Sequence, residues 1–111
     1  MPKFLALYLG TPDSQPAAPP DEQTIARGMA AWQGWMAQHA SAIVDGGGPL
    51  GKTKKAASAG ISDTRNNVAG YVIVEAASQD AAVKLFENHP HFAIFPGDSV
   101  EVMECLPIPG A

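Results

Sequence analysis

The sequence is poor in cysteine, in long apolar runs and in basic residues, and each shortage excludes a class of protein. Cys105 is its one cysteine, so no internal disulfide forms and a reducing compartment is expected. No apolar run approaches the roughly 20 residues that span a bilayer, and the N-terminus lacks a basic segment followed by an apolar core. The sequence therefore predicts a cytoplasmic protein without a membrane partner. In a predicted apolar strand, Cys105 is expected to be buried and inert.

The net charge argues against a nucleic-acid-binding protein, and the length indicates a single domain. The chain carries 11 Asp and Glu against 7 Lys and Arg, a formal net charge of −4. DNA and RNA binders concentrate basic residues to displace counterions, so no nucleic-acid partner is expected. A length of 111 residues with 46% hydrophobic content is typical of one domain, here residues 1–111.

The apolar segments follow the order β-α-β-β-α-β. Strands are predicted at residues 3–9, 52–59, 69–76 and 99–106, one helix at about 21–44, and a second helix that Ser78 caps. This order predicts an α+β, ferredoxin-like fold: a four-stranded antiparallel sheet with two helices on one face. The strands at 3–9 and 69–76 are apolar on both faces, yet two helices cover only one. We therefore expect a second copy on the other face, which gives a homodimer.

The first helix carries an apolar stripe that predicts its contact with the sheet. The positions are Ile25, Met29, Trp32, Met36 and Ile43. Trp32 is thus expected in the core. Trp35 lies at the edge of the stripe, beside His39, where it either roofs a ligand cleft or packs in a dimer.

Residues 46–53 match the phosphate-binding pattern G-x-x-x-x-G-K-[ST]. A working phosphate loop lies between a strand and a following helix, whose N–H groups converge on the anion. Here the predicted order is helix and then strand, and Pro49 removes a donor. We interpret the segment as a glycine-rich exit to a lysine-protected edge strand and expect no nucleotide.

Histidine supplies the candidates for proton transfer near neutral pH. His39 and Asp45 form a conceivable dyad if the chain curls back, with the carboxylate orienting the imidazole. His89 and His91 have a spacing that is not typical of a metal site, and we expect neither a metal nor a cofactor. For each of these residues, a surface or capping role is the alternative.

A second interpretation places a shared cleft near the end of the second helix. Pro90 is expected to end that helix and to hold His89 at its C-terminus, where the helix dipole raises the pKa of the imidazole. His89, with His91, would then face Trp35 and His39 across a cleft. In this arrangement His89, His39 and Asp45 are the candidate catalytic residues, and Trp35 and His91 the candidate ligand-binding residues.

The sequence resembles the YCII-related family over nearly its whole length. The resemblance rests on Trp32 and Trp35, residues 45–49, residues 70–76 with Ser78, His89-Pro90 and Glu101-Val102. It implies a small dimeric α/β barrel. Some YCII-like proteins are regarded as having a histidine and aspartate pair in a cleft, and one branch is linked to dehydrochlorination of a chlorinated hydroquinone.

The match departs from the family pattern at two places. The position of the family's histidine lies near Ala31 or Trp32 here, so that role passes to His39 or His89. The strict Asp-Gly-Pro-Phe motif of the branch found beside sigma factors is replaced by residues 45–49, Asp-Gly-Gly-Gly-Pro. The resemblance therefore implies a small-molecule enzyme with a histidine acid or base between the first helix and the sheet. A non-catalytic ligand-binding module and a structural dimerisation module are the alternatives.

Overall fold

The computed structural model describes residues 1–11 and 20–110. In chain order its elements are β1 (Lys3–Leu9), α1 (Glu22–Gln38), β2 (Ile43–Pro49), β3 (Thr53–Ala57), β4 (Gly60–Thr64), β5 (Val68–Glu75), α2 (Gln79–Lys84), α3 (Pro90–Ala93) and β6 (Ser99–Glu104). Four strands form an antiparallel sheet in the order β2-β5-β1-β6, and β3 pairs with β4 in a separate hairpin. The predicted mixed α+β class with an antiparallel sheet is confirmed. A third short helix, α3, was not predicted.

The second strand of the main sheet is the largest correction. The first helix ends at Gln38 rather than near residue 44, and Ile43 opens β2 opposite Val74 of β5. The segment predicted as an edge strand, 52–59, instead contributes β3, which pairs with β4 in the separate hairpin and not with the main sheet. A run of glycines disfavours helix, and in β2 it permits irregular pairing with β5. Gly47 has φ +64°, and a Cβ there would overlap the Tyr71 carbonyl.

The sheet has one face under the helices and one open face. Alternate residues of β1 and β5 face inward and are buried with Trp35 and Phe86: Phe4, Ala6, Tyr8, Val72 and Val74. The residues between them point the other way and are half-buried or exposed in the single chain. We call this second set the outer face; it comprises Leu5, Leu7, Tyr71, Ile73 and Met103. Strand alternation was therefore read correctly from the sequence.

The two tryptophans exchange the places expected for them. Trp35 is buried, at 7% exposure, and its Nε1 donates to the Leu85 carbonyl at 2.7 Å. Trp32 is half-buried, and Ile25 and Met29 are 43% and 47% exposed. The helix is turned because Gly28, which has no side chain, lies against the Phe95 ring, where a Cβ would overlap it. A glycine gives no apolar signal, so the sequence pattern placed the buried stripe too far round the helix.

The N-cap of α2 agrees with the prediction, whereas the exposure of Cys105 does not. Ser78 caps α2 as predicted, its side chain accepting from the Ala81 N–H at 3.1 Å. Cys105 follows the end of β6 and is exposed, so the expected burial is wrong, because the strand ends before it. None of the helices in the described ranges is long and apolar enough to cross a membrane.

Candidate functional site

A cavity of about 390 Å³ lies between α1 and the sheet. Its aromatic and imidazole lining comes from Tyr8 on β1, Trp32 on α1, His91 on α3 and Phe95 just after α3, and Tyr71 of β5 also borders it. Met29 lies at its edge on α1, half-exposed. The volume is in the range of small-molecule pockets, which are mostly apolar with a few placed polar groups. The cavity is thus suited to a compact ligand with a flat apolar face.

Small residues form the opposite wall. Gly46, Gly48 and Pro49 of β2 and Gly70 of β5 line the cavity. A Cβ at Gly70 would lie 3.0 Å from the Gly48 carbonyl oxygen and 3.4 Å from the Tyr8 ring. This close approach of backbone and ring requires a glycine or a local shift. The glycine-rich segment, which resembles a phosphate loop in sequence, therefore forms a strand wall, and the element that follows it directly is the strand β3 rather than a helix.

His91 is the imidazole on the cavity. Its Nε2 lies 2.7 Å from the Leu9 carbonyl oxygen, and since a carbonyl only accepts, Nε2 carries a proton. In the neutral ring, Nδ1 is then left as an acceptor. Gly97 allows this placement, because a Cβ there would overlap the His91 ring. The backbone thus orients the imidazole much as a carboxylate does in a catalytic dyad.

His89 lies behind the cavity lining and is fully buried. It is the N-cap of α3, with its Nδ1 accepting from the His91 N–H at 3.0 Å. The ring centroids of Trp32 and Trp35 are 4.6 and 4.7 Å away, and the Tyr8 oxygen lies 3.4 Å from Nε2. Aromatic side chains therefore enclose the imidazole.

The electrostatics of His89 are the reverse of the expectation. Burial, with smaller contributions from His91 and His39, lowers the pKa of His89 to about 4. The predicted position at a helix C-terminus is wrong, because the turns after α2 end at Asn88, which has φ 56°, and His89 begins a new helix. The predicted rise in pKa is wrong for the same reason, since no helix dipole offsets the desolvation. Burial likewise raises the pKa of Tyr8, so its hydroxyl stays protonated.

The other candidate residues, His39, Trp35 and Asp45, do not line the cavity between α1 and the sheet. His39 is the C-cap of α1, and Trp35 lies between the His39 and His89 rings, at 5.2 and 4.7 Å. His39 and Trp35 line a separate surface cavity. The structure therefore brings Trp35, His89 and His39 together in one cluster of inclined rings, whereas His91 lies on the α1–sheet cavity. Asp45 accepts from the Gly47 N–H at 2.9 Å, and within residues 1–11 and 20–110 it has no hydrogen bond to His39. Catalytic roles for these residues stay predictions.

Sequence reasoning missed Tyr8 and Phe95 as site residues. Tyr8 could have been found, because it is the one polar-tipped residue in the inward-facing series of β1. Phe95 gave no such signal, since its place depends on the contact with Gly28. Over the described residues, no group of three or more His, Cys, Asp or Glu side chains could hold a metal ion.

Comparison with known proteins supports the fold. No family model and no curated protein sequence matches the chain. A solved structure does match: 5-chloro-2-hydroxyhydroquinone dehydrochlorinase from Burkholderia phenoliruptrix AC1100, in complex with 2,5-dihydroxybenzoquinone. The TM-score is 0.53 at 22% sequence identity, over 90% of this chain and 89% of that one. At this identity, the match shows that the two proteins share a fold.

Proposed function

We propose that this chain is a single YCII-like domain, residues 1–111, that binds a compact aromatic compound in the cavity between α1 and the sheet. The observation that carries the proposal is the lining of that cavity. Tyr8, Trp32 and Phe95 supply aromatic surface, and the polar groups near it are few. Aromatic rings pair well with flat ligands in offset or edge-on geometry.

The strand order supports assignment to the ferredoxin-like group. Without the β3–β4 hairpin, the sheet order β2-β5-β1-β6 has the second, third, first and fourth strands side by side. Each parallel pair is then split by a strand between its members, as in the split βαβ pattern. The shared fold with the dehydrochlorinase agrees with this assignment, and its ligand, a planar ring bearing oxygens, has the size and shape that the cavity favours.

The same geometry supports a catalytic use of the cavity. His91 has one nitrogen fixed on the Leu9 carbonyl and one left to exchange a proton with a ligand hydroxyl or an adjacent carbon. We therefore propose His91 as the acid or base, and His89 as the buried group behind it. The alternative is a non-catalytic binding module, which uses the same cavity. Replacing His91 with Gln separates the two, since binding survives in both cases and turnover is lost only in an enzyme.

The outer face supports a homodimer as the assembly. Leu5, Leu7, Tyr71 and Ile73 form a contiguous apolar surface that the helices of the same chain do not cover. Large exposed apolar patches are unusual in soluble monomers. A second copy of the chain would cover this surface by packing sheet against sheet.

The binding proposal is tested with 4-ethylphenol by calorimetry. We expect saturable binding of this aromatic probe and much weaker binding of its saturated analogue, 4-ethylcyclohexanol. Met29→Lys should weaken the binding of 4-ethylphenol because it places a charge at the cavity edge. Ile25→Lys is the matched control, one helical turn away and similarly exposed, but not lining the cavity. Equal effects of the two variants, or no binding by the unmodified chain, would contradict the proposal.

A further inference from the structure

The proton positions on His89 are fixed by its neighbours. Its Nδ1 accepts the His91 backbone N–H at 3.0 Å, so this nitrogen carries a lone pair and no proton. A fully buried imidazole whose pKa is lowered is neutral near pH 7. A neutral ring carries one proton, which is therefore on Nε2.

The Nε2–H group of His89 donates a hydrogen bond to the Tyr8 hydroxyl oxygen. Nε2 lies 3.4 Å from the Tyr8 oxygen, a long contact of the kind that tightens when a ligand binds. Because Nε2–H donates, the Tyr8 oxygen accepts, and its own O–H proton is directed elsewhere. His89 is the one hydrogen-bond partner of this hydroxyl among the described residues, and Tyr8 lines the cavity.

We propose that the Tyr8 hydroxyl is the hydrogen-bond donor that selects the ligand, which is a compact aromatic compound bearing a carbonyl or phenolate oxygen. His89 is the positioning residue that keeps the Tyr8 proton pointing at the ligand. This inference rests on the proposed function, since it assigns the ligand class of the same cavity. It adds a preference: among compact aromatic ligands, those that present an acceptor to Tyr8 bind more tightly.

Ligands with an acceptor are preferred because a buried hydrogen-bond donor without a partner costs free energy. A ligand that fills the cavity and lacks an acceptor removes water from the Tyr8 hydroxyl and returns no hydrogen bond. A carbonyl oxygen at that place restores the bond. At the end of the ligand away from Tyr8, the free Nδ1 of His91 accepts from a ligand hydroxyl. An aromatic ring with one hydroxyl and one carbonyl substituent therefore matches both groups.

The test compares two probes that differ by one carbonyl group, 4-hydroxyacetophenone and 4-ethylphenol; the effect of that carbonyl on the acidity of the phenol is the same for every variant. The measured quantity is the ratio of their dissociation constants. We expect Tyr8→Phe to shift this ratio about tenfold against the ketone, the value of one ordinary hydrogen bond. Ser62→Ala, which removes a hydroxyl from the separate β3–β4 hairpin and not from the cavity lining, should leave the ratio unchanged. An unchanged ratio in Tyr8→Phe overturns the inference but not the proposed function; failure of both probes to bind overturns both.

The positioning role of His89 has its own readout. Nitrogen-15 NMR of the unmodified protein should show His89 as the neutral Nε2–H tautomer, and the Nδ1–H tautomer would overturn the proton assignment whatever the variants do. His89→Asn keeps an acceptor for the His91 N–H but no donor to Tyr8, and should shift the ratio as Tyr8→Phe does. His89→Gln places an amide N–H near the Nε2 position and should restore part of the selectivity. The reverse order of the two variants would contradict the positioning role.

Discussion

The buried His89 should make the stability of the protein fall with acidification in a defined pH range. Histidine in an unfolded chain titrates near pH 6.5, whereas burial lowers the pKa of folded His89 to about 4. Between these values the unfolded state binds more protons than the folded state. The free energy of unfolding therefore rises with pH across this window, and the stabilisation is lost on going from pH 6.5 towards pH 4.

The size of the effect follows from the two pKa values. The folded and unfolded pKa values of about 4 and about 6.5 correspond to about 3 kcal/mol of stability over the whole window, of which about 2 kcal/mol is lost between pH 7 and pH 5. Urea unfolding followed by tryptophan fluorescence measures it, at one fixed protein concentration. Both tryptophan rings lie within 5 Å of the imidazole, with centroid distances of 4.6 and 4.7 Å, so the signal reports on this region.

Single-residue variants separate the contribution of His89 to the pH dependence of stability from the contributions of other groups. His89→Asn removes the titration and keeps a cap acceptor, so it should lower stability at pH 7 and flatten the slope between pH 7 and pH 5. His39→Asn, at the half-exposed end of α1, should keep the slope. The N–H of Thr24 lowers the pKa of Asp21, so the contribution of Asp21 is lost only at more acidic pH. Parallel slopes for the unmodified protein and His89→Asn would refute the reasoning.

The strand wall, the outer face and the phosphate-loop pattern can each be tested by a substitution or a titration. Gly47→Ala should destabilise by at least about 2 kcal/mol in urea unfolding, because of its positive φ and the Tyr71 carbonyl beside it, whereas Gly48→Ala, with open space around it, should be nearly neutral. Leu7→Lys should convert a dimer into a monomer in light scattering, and Val83→Lys, exposed on α2, should not; a monomeric unmodified protein would contradict the dimer proposal. Calorimetry with ATP and magnesium should show no saturable binding, and binding lost in Lys52→Ala would contradict this.

Periodicity predicted the parts of the fold that rest on large side chains. The alternation in β1 and β5 separated Phe4 and Tyr8 from Leu5 and Leu7, and Val72 from Tyr71, as observed, because strand faces are set by simple two-residue geometry; which face is inward was not predicted. Ser78 was found because a capping side chain is a local signal. Strand alternation and the helix cap depend only on residues that are close in the chain, so one sequence is enough to predict them.

The errors lie where glycine or tertiary contact decides. Ile43 fitted the helix stripe by its spacing, yet the glycines after it favour a strand, and β2 forms by pairing with distant β5. Trp32 and Trp35 exchanged roles because the close approach at Gly28 turns α1. His89 was placed at a helix end by Pro90, although proline at the first position of a helix equally marks a start. The cavity itself joins β1, β2, β5, α1 and the α3 region, a combination that no local pattern encodes.

The two roles assigned to His89 can be separated by pH, which gives the sharpest test of the hydrogen-bond chain. Stability compares folded with unfolded protein, so it starts to fall near pH 6.5, where the unfolded histidine titrates. Ligand selectivity concerns only the folded protein, in which His89 stays neutral until the pH nears 4. The ratio of dissociation constants for 4-ethylphenol and 4-hydroxyacetophenone should therefore stay constant from pH 7 to pH 5 while stability declines. Near pH 4, protonation puts a hydrogen on Nδ1 against the His91 N–H, which disrupts the α3 cap, and selectivity should then fall. A ratio that drops near pH 6.5 would show that His89 titrates as an exposed histidine does. It would also show that the buried hydrogen bonds linking the His91 N–H, His89 and Tyr8 do not form.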